Sequence, residues 1–451
     1  MTSSLGTTSP NRREHARDRA VRAAVAQGLL PASEPVVALL DTVGIRASAA
    51  ALTSAFAAVT DAPVLHAFAV KAAPLVPVLR LLHEAGLGAE VASPGELALA
   101  RAAGVPPSRT VLDSPAKTRD ELRQALALGI AVNADNFQEL ARLDALVRDT
   151  AAAVPPIGLR VNPQVGAGAI GALSTATATS KFGVALRDEG AREAVVQAYL
   201  DRPWLTRLHT HTGSQGVPLP LMAEGVKAAH TLAEEINERA GRRQIDTLDI
   251  GGGLPVNFAS DEDTPGYATY ARQLAATVPG LFDGRYALVT EFGRSLLAKH
   301  GTILARVEYT KTSGGRPIAV THAGVQLATR TVYAPESWPL RILAYDAEGR
   351  PRHGEPPVAQ DVAGPACFAG DLLATGRALP PLRPGDVVAI LDTGAYYFAH
   401  HYAYNSLPRT AVYGFTPTDE GGVAFSTVRR AQTLDQIVAE SGGDRPDALS
   451  S

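Results

Sequence analysis

Residues 64–134 read VLHAFAVKAAPLVPVLRLLHEAGLGAEVASPGELALARAAGVPPSRTVLDSPAKTRDELRQALALGIAVNA. Four short apolar runs, VLHAFAV (64–70), GAEVA (88–92), TVLD (110–113) and AVNA (131–134), alternate with amphipathic stretches of helical period. The alternation continues through IGLRVN (157–162), TRLHTHT (206–212), TLDIG (247–251) and YALVTE (286–291). Eight strands alternating with helices predict a (βα)8 barrel over 60–295. An open doubly wound sheet has the same local pattern, and the count of eight favours the closed cylinder.

Past Arg294 the texture changes to short β-rich segments, TILARVEYT, PIAVTHAG, LRILAY and GDVVAIL, separated by turn chemistry such as GGRP and LRPGD. This predicts an all-β domain over 296–430. PVVALLD (35–41) and the helix after it, within 35–59, are read as a lead-in associated with that β domain. Residues 1–34 are read as a flexible arm, disordered over its first ten residues and helical over 12–30; residues 431–451 are read as a C-terminal tail, frayed over its last thirteen residues, AESGGDRPDALSS.

The 451 residues are 46% hydrophobic and 19% charged, the profile of an ordinary globular chain. Forty-two basic against 45 acidic side chains give a net charge of −3, which supplies no electrostatic reason to expect a nucleic acid or an anionic membrane. No apolar run approaches the roughly 20 residues a membrane helix needs. The single cysteine, Cys367, excludes an intrachain disulfide framework and fits a reducing cytoplasm.

Four features bear on chemistry. Lys71 follows the first barrel strand, so it stands at the mouth where such barrels place their chemistry. Half desolvated there, its amine can form a Schiff base; alone, it reads more simply as a rim lysine reaching water. His209 and His211 alternate on one strand and share a side, which suits a metal pair, a ring-stacking pair or two satisfied interior histidines. The Gly213-Ser214 turn beyond them suits an anion. Gly251, Gly252 and Gly253 follow the seventh strand, where barrels gather phosphate sites, although a GGG also makes a plain tight turn. Glu291 and Arg294 end the eighth strand, as an ion pair or as a carboxylate serving a ring nitrogen. Together an amine, a stacking histidine, a phosphate cradle and a carboxylate are what pyridoxal phosphate requires.

In this order the motifs resemble the fold-type III pyridoxal-phosphate decarboxylases, the diaminopimelate, ornithine and arginine decarboxylase group, from about residue 36 to 415. FAVKA resembles the segment whose lysine carries the cofactor, here Lys71. EVASPGE brings Glu90 where an aspartate is usual, and LRVNP brings Arg160 near the cofactor ring. HTHTGSQ implies His211 stacked on the pyridine and Ser214 on phosphate. DIGGG supplies the phosphate glycines. EFGR, with Phe292 in place of a proline, implies Glu291 on the pyridine nitrogen and Arg294 near phosphate or substrate. GPACFAGD and DTGAYYFAHHYAYN imply Cys367 as a catalytic residue delivered across a dimer interface, Tyr396 on phosphate and Tyr404 near the substrate. The resemblance implies a head-to-tail homodimer with two shared active sites and a barrel-plus-β architecture that alanine racemases share.

The reaction the resemblance implies is loss of the substrate α-carboxylate as CO2, with Glu291 keeping the ring nitrogen protonated and Cys367 or Lys71 reprotonating the α-carbon. In the family's diaminopimelate enzymes a glutamate follows the cysteine and grips the distal amine. Phe368 stands there in this chain. The sequence therefore predicts a substrate other than diaminopimelate, such as a siderophore or antibiotic precursor, with Arg294 and Arg330 as receptors for a carboxylate. The alternatives are a diaminopimelate or basic amino-acid decarboxylase, and an amino-acid racemase or metal-assisted dehydratase using His209 and His211. No further metal-ligand cluster completes the latter site in sequence, and no metal is expected. A cofactor-free regulator on the same fold is disfavoured because Lys71, Glu291 and Cys367 are all retained. The bland segment 165–180 is read as a mobile lid.

Overall fold

The computed structural model describes residues 10–149, 153–171 and 174–450. The chain divides into two compact units. One comprises 46–257 and 263–296; the other comprises residues up to Ile45, Phe258–Glu262 and the chain from Leu297 onward.

Strand β1 (Val36–Asp41) belongs to the second unit. The first unit is built on β2 (Val64–Ala69), β3 (Gly88–Val91), β4 (Thr110–Asp113), β5 (Ala131–Ala134), β6 (Ile157–Asn162), β7 (Leu205–His209), β8 (Thr247–Asp249) and β9 (Ala287–Thr290). All pair in parallel, each with its neighbour in sequence, and β9 pairs with β2, so the eight strands close into the expected barrel. Every residue of β3 to β6 is buried, as strands covered by helices on one face and by the barrel interior on the other must be. Three successive crossovers start their helices in the same way. The side chains of Ser93, Thr118 and Asn136 accept from the main-chain N–H of Glu96, Glu121 and Glu139, three residues on. Glu96, Glu121 and Glu139 return the bond to Ala92, Thr118 and Asp135 at 2.7 Å each. These caps turn each strand into a helix within a few residues and leave the strand ends open to form a site.

The second unit is a nine-stranded sheet. Strand β1 lies between β10 (Gly301–Ser313), antiparallel, and Ala411–Pro417, parallel. Its core packs Val37, Leu39, Leu304, Tyr345, Val387, Leu391 and Phe415 against Ala20, Val21 and Ala24 of the N-terminal helix Pro10–Ala26. That helix begins two residues before the predicted start and ends four before the predicted end. The predicted disordered stretch, apart from Pro10, lies outside the described residues. The lead-in strand joins the β sheet, and the division between the units falls inside the helix Thr42–Ala57, at Ile45, so most of that helix belongs to the barrel unit. The tail carries a helix, Leu434–Glu440, opened by a Thr433–Gln436 capping box. The T-x-x-Q spacing is its sequence signal, and reading the segment for composition alone misses it.

Candidate active site

Polar side chains appear on the barrel strands near their C-terminal ends, where the surrounding positions are apolar. Arg160 on β6, His209 on β7 and Asp249 on β8 are register partners, so they stand at one level. Asp113 on β4 and Asn133 on β5 are also partners. The five side chains join across the interior. Arg160 Nη1 lies 3.0 Å from Asp113 Oδ2. His209 sits between two carboxylates, Nε2 at 3.3 Å from Asp113 and Nδ1 at 3.2 Å from Asp249. The Asn133 amide donates to Asp249 at 2.9 Å, and the Gly251 N–H donates to the same carboxylate at 3.1 Å.

Burial disfavours the His209 imidazolium, but Asp249 and Asp113 outweigh it and hold its pKa well above the ordinary value. Burial would raise Asp113, yet Arg160 and His209 keep it well below the usual range; His209 does the same for Asp249. Two residues further on, His211 behaves oppositely. Burial, then Arg160 and Lys71, push its pKa well below the ordinary value. The Gly252 N–H donates to its Nδ1 at 3.3 Å, consistent with an unprotonated acceptor there. The ligand atoms of His209, His211 and Glu291 lie within 4.8 Å of one another, so the fold does bring a carboxylate to the histidine pair.

Above this floor, Lys71 occupies the turn Val70–Ala72 after β2, its Nζ 2.7 Å from Glu90 Oε2 on β3. Glu90 is fully buried, and burial lifts its pKa to about 6 against the opposing pull of Lys71. Glu291, just past β9, is also buried. Burial and then Asp249 raise its pKa well above the carboxylate range. Its Oε2 is 3.4 Å from His211 Nδ1, and its Oε1 has no hydrogen-bond partner among the described residues.

The loops that carry these groups are laced backbone to backbone. The Glu291 N–H donates to Gly251 O at 2.8 Å, and the Ala69 N–H donates to Phe292 O at 3.1 Å. A Cβ on Gly252 would stand 2.1 Å from Glu291 O, and one on Gly213 would stand 2.5 Å from Gly252 O. Glycine at both positions is therefore required by close approach of main chains. Gln215 and Val256 exchange two hydrogen bonds, 2.8 and 2.9 Å, and so tie the HTHTGSQ loop to the chain beyond the glycines. The Thr175 hydroxyl donates to His211 O, and the Ala169 N–H to Gly216 O at 2.9 Å, which anchors the described part of 165–180 to the same loop. Phe292 is buried edge-on against Tyr267 and Tyr270, with ring centroids at 5.4 and 5.9 Å. Arg294 begins the short helix Arg294–Leu297.

Apart from Ser214, which lies on the HTHTGSQ loop of the first unit, the remaining sequence-predicted residues belong to the second unit. The Cys367 N–H donates to Asn405 Oδ1 at 2.7 Å, and the thiol residue is exposed. Phe368 stacks on Tyr333 and meets Tyr404 edge-on. Arg330 lies over the Tyr396 ring at 4.5 Å and over Trp338 at 5.0 Å. Tyr396 has a left-handed backbone, φ 73°, a conformation costly for an aromatic residue and typical of functional loops. The residues that sequence reasoning missed are Asp113, Asn133 and Asp249. Their signal was present: a polar side chain at the end of an otherwise apolar buried strand needs a partner.

Residues 44–298 match the family model for the pyridoxal binding domain of pyridoxal-dependent decarboxylases. The chain belongs to that family. The diaminopimelate decarboxylase of Pseudomonas aeruginosa is 33% identical over 85% of this chain and 87% of its own length. That of Aquifex aeolicus is 30% identical over 83% and 85%. A solved diaminopimelate decarboxylase from M. jannaschi superimposes with a TM-score of 0.81 at 25% identity, covering 92% of this chain and 94% of that one. This decarboxylase is a carboxy-lyase that uses pyridoxal phosphate. Its residues fit that group: a mouth lysine, and a buried carboxylate whose free oxygen a protonated ring nitrogen would satisfy. The expectation that Phe368 excludes diaminopimelate is overturned by these relatives. The inference failed because it set one position against a likeness that runs over more than four-fifths of the chain.

Proposed function

We propose that this decarboxylase removes the α-carboxylate of a diamino acid of the diaminopimelate class. The observation that carries the substrate class is the kinship with diaminopimelate decarboxylases over more than four-fifths of the chain. Pyridoxal phosphate, when bound, supplies the electron sink that makes loss of CO2 feasible. Lys71 would hold it covalently, His211 would stand against its ring, and Ser214, Gly251, Gly252, Gly253, Arg294 and Tyr396 would take its phosphate. Glu291 holds a proton at the ring nitrogen. Its raised pKa fits this role, because an ionised Glu291 gains stability only when a cation arrives beside it. Glu90 and Arg160 fix the charge balance around the amine and the ring, through Lys71 and Asp113 respectively. Cys367, or Lys71 once released, donates the proton to the α-carbon. Arg330 and Arg294 receive substrate carboxylate, while Phe368 and Tyr404 border the substrate. The enzyme acts in the cytoplasm as a homodimer in which one protomer's Cys367 completes its partner's site.

The test is CO2 release from meso-diaminopimelate, L-lysine and L-ornithine, with the amine product identified by mass. Turnover of meso-diaminopimelate is expected; its absence, with the cofactor bound, would overturn the proposal.

A further inference from the structure

On the N-terminal helix Pro10–Ala26, Arg13 and Arg17 stand one turn apart and both are buried. Both reach Asp261, in the short excursion Phe258–Glu262 that joins the second unit. Arg13 Nη1 donates to its main-chain oxygen, and Arg17 Nη1 lies 3.2 Å from each of its carboxylate oxygens. The same carboxylate accepts from Arg341 Nη2 at 2.7 Å. Arg341 is shared: its Nε and Nη2 also donate to Asp392, at 3.1 and 3.0 Å. Lys299 ends the run, with Nζ 3.3 Å from Asp392 Oδ1 and donating to the main-chain oxygen of Ser260. The side chains of Lys299 and Asp392 are each 2% exposed. Apolar side chains would fasten the helix with no desolvation cost; charge-assisted hydrogen bonds add fixed geometry.

The geometry they fix is that of the loop Asp392–Tyr396. Asp392 follows the strand Val387–Leu391 with a left-handed backbone, φ 61°, and Tyr396 repeats that conformation at φ 73°. Side-chain-bearing residues in this region persist where their surroundings over-determine them. The Thr393 N–H donates to Gly301 O and the Gly394 N–H to Ala298 O, each at 3.1 Å. A Cβ on Gly394 would stand 1.9 Å from Leu297 O. The loop is therefore pressed main chain to main chain against 297–301, and Arg341 and Lys299 hold the carboxylate at its base. At its far end Arg330 lies over the Tyr396 ring at 4.5 Å, and His400 stacks on it at 5.7 Å.

We propose that the N-terminal helix is a positioning element for Tyr396, acting through Asp261, Arg341 and Asp392. This rests on the reading that Tyr396 takes the cofactor's phosphate. The helix then tunes phosphate affinity without touching the cofactor. Loss of the partners of Asp392 lets its strained turn relax, and the hydroxyl carried four residues further on moves off its mark. Binding of the phosphate weakens, while binding of the aldehyde ring does not.

Pyridoxal phosphate and pyridoxal, titrated into the full chain freed of cofactor and followed by absorbance, separate these two effects. Asp392→Asn keeps the shape and tolerates the left-handed backbone, but loses the charge. It is expected to weaken pyridoxal phosphate about 10- to 100-fold, the worth of one hydrogen bond to a charged group, with pyridoxal unchanged. Arg17→Gln, at the far end of the run, is expected to weaken it about 3- to 30-fold, and Arg341→Lys less than Arg341→Gln. In a Tyr396→Phe background, Arg17→Gln is expected to cost nothing further. Equal weakening of both ligands, no weakening of either, or a loss in Arg17→Gln that persists in full without the Tyr396 hydroxyl would overturn the proposal. If Tyr396→Phe alone leaves pyridoxal phosphate binding unchanged, the phosphate reading fails instead. The fluorine resonance of 3-fluorotyrosine at position 396, assigned by its loss in Tyr396→Phe, then decides the helix. It should move in Arg17→Gln and not in the surface variant Arg239→Gln; a resonance that stays in place in Arg17→Gln would sink the positioning role.

Discussion

Replacing His209 by alanine removes one cation from between two buried carboxylates. Breaking a buried pair costs roughly 3–5 kcal/mol, because the abandoned charge stays out of water. Neither carboxylate is left bare, however. Asp113 keeps Arg160 at 3.0 Å, and Asp249 keeps Asn133 at 2.9 Å and the Gly251 N–H at 3.1 Å. The electrostatic loss therefore falls near the lower end, and the space vacated by a fully buried ring adds a cavity cost, about 4 kcal/mol in all. For a barrel of this size that is a fall in Tm on the order of 8–16 °C.

The pH dependence carries the sharper test. Asp113 and Asp249 have folded pKa values below their unfolded ones, so their stabilisation is complete above pH ~4 and is lost as the pH falls through the folded values. His209 has a folded pKa above its unfolded value. Its stabilisation is complete below pH ~6.5 and is lost as the pH rises through the folded value. The gap between wild type and His209→Ala is thus widest from about pH 4 to 6.5 and narrows on both sides. Calorimetry of the cofactor-free protein across this range measures the gap, and the nitrogen chemical shifts of the His209 ring report its protonation directly. A variant melting within about 2 °C of wild type at pH 5.5, or a His209 ring that loses its proton near pH ~6.5, would refute the reasoning.

Two further substitutions probe the mouth. Glu291→Gln keeps the size of the side chain but cannot ionise, and is expected to lower kcat on the order of 10²–10³-fold with the cofactor still bound by its absorbance; activity near wild type would remove Glu291 from the ring nitrogen. Gly252→Ala would drive a Cβ to 2.1 Å from the main-chain oxygen of Glu291, so a loss of about 1–3 kcal/mol in thermal stability and weaker cofactor retention on dialysis are expected; a wild-type melting curve with unchanged retention would show that the loops are not locked.

The cylinder was legible because each of its strands is a short apolar run closed by a helix start, and hydrophobic periodicity reports both. The strand ends were less legible. TRLHTHT extends three residues beyond His209, where β7 stops, because a main chain that leaves the barrel to form a site keeps strand-like residues after it has given up strand pairing. At Phe368 the residue identity was read correctly and its meaning was not. A single position was weighed as a charge lost, whereas Tyr333, Tyr402 and Tyr404 arrive from segments 30 or more residues away in sequence and make it part of a surface.

The histidine pair shows where sequence reading stops for physical reasons. His209 and His211 are one strand step apart, share a side, and have the same intrinsic pKa, so local pattern assigns them one character. Burial acts on both, and groups on other strands separate them: Asp249 from β8 and Asp113 from β4 raise the pKa of His209 against its burial, while burial, Arg160 and Lys71 all lower that of His211. Closing the barrel is what brings Asp113 on β4 across the interior to His209 and Arg160. A sheet left open between β5 and β6 would take Asp113 on β4 away from both Arg160 and His209, leaving His209 with Asp249 alone. The opposite shifts of the two rings are therefore products of groups on other strands rather than of the motif HTHTGSQ.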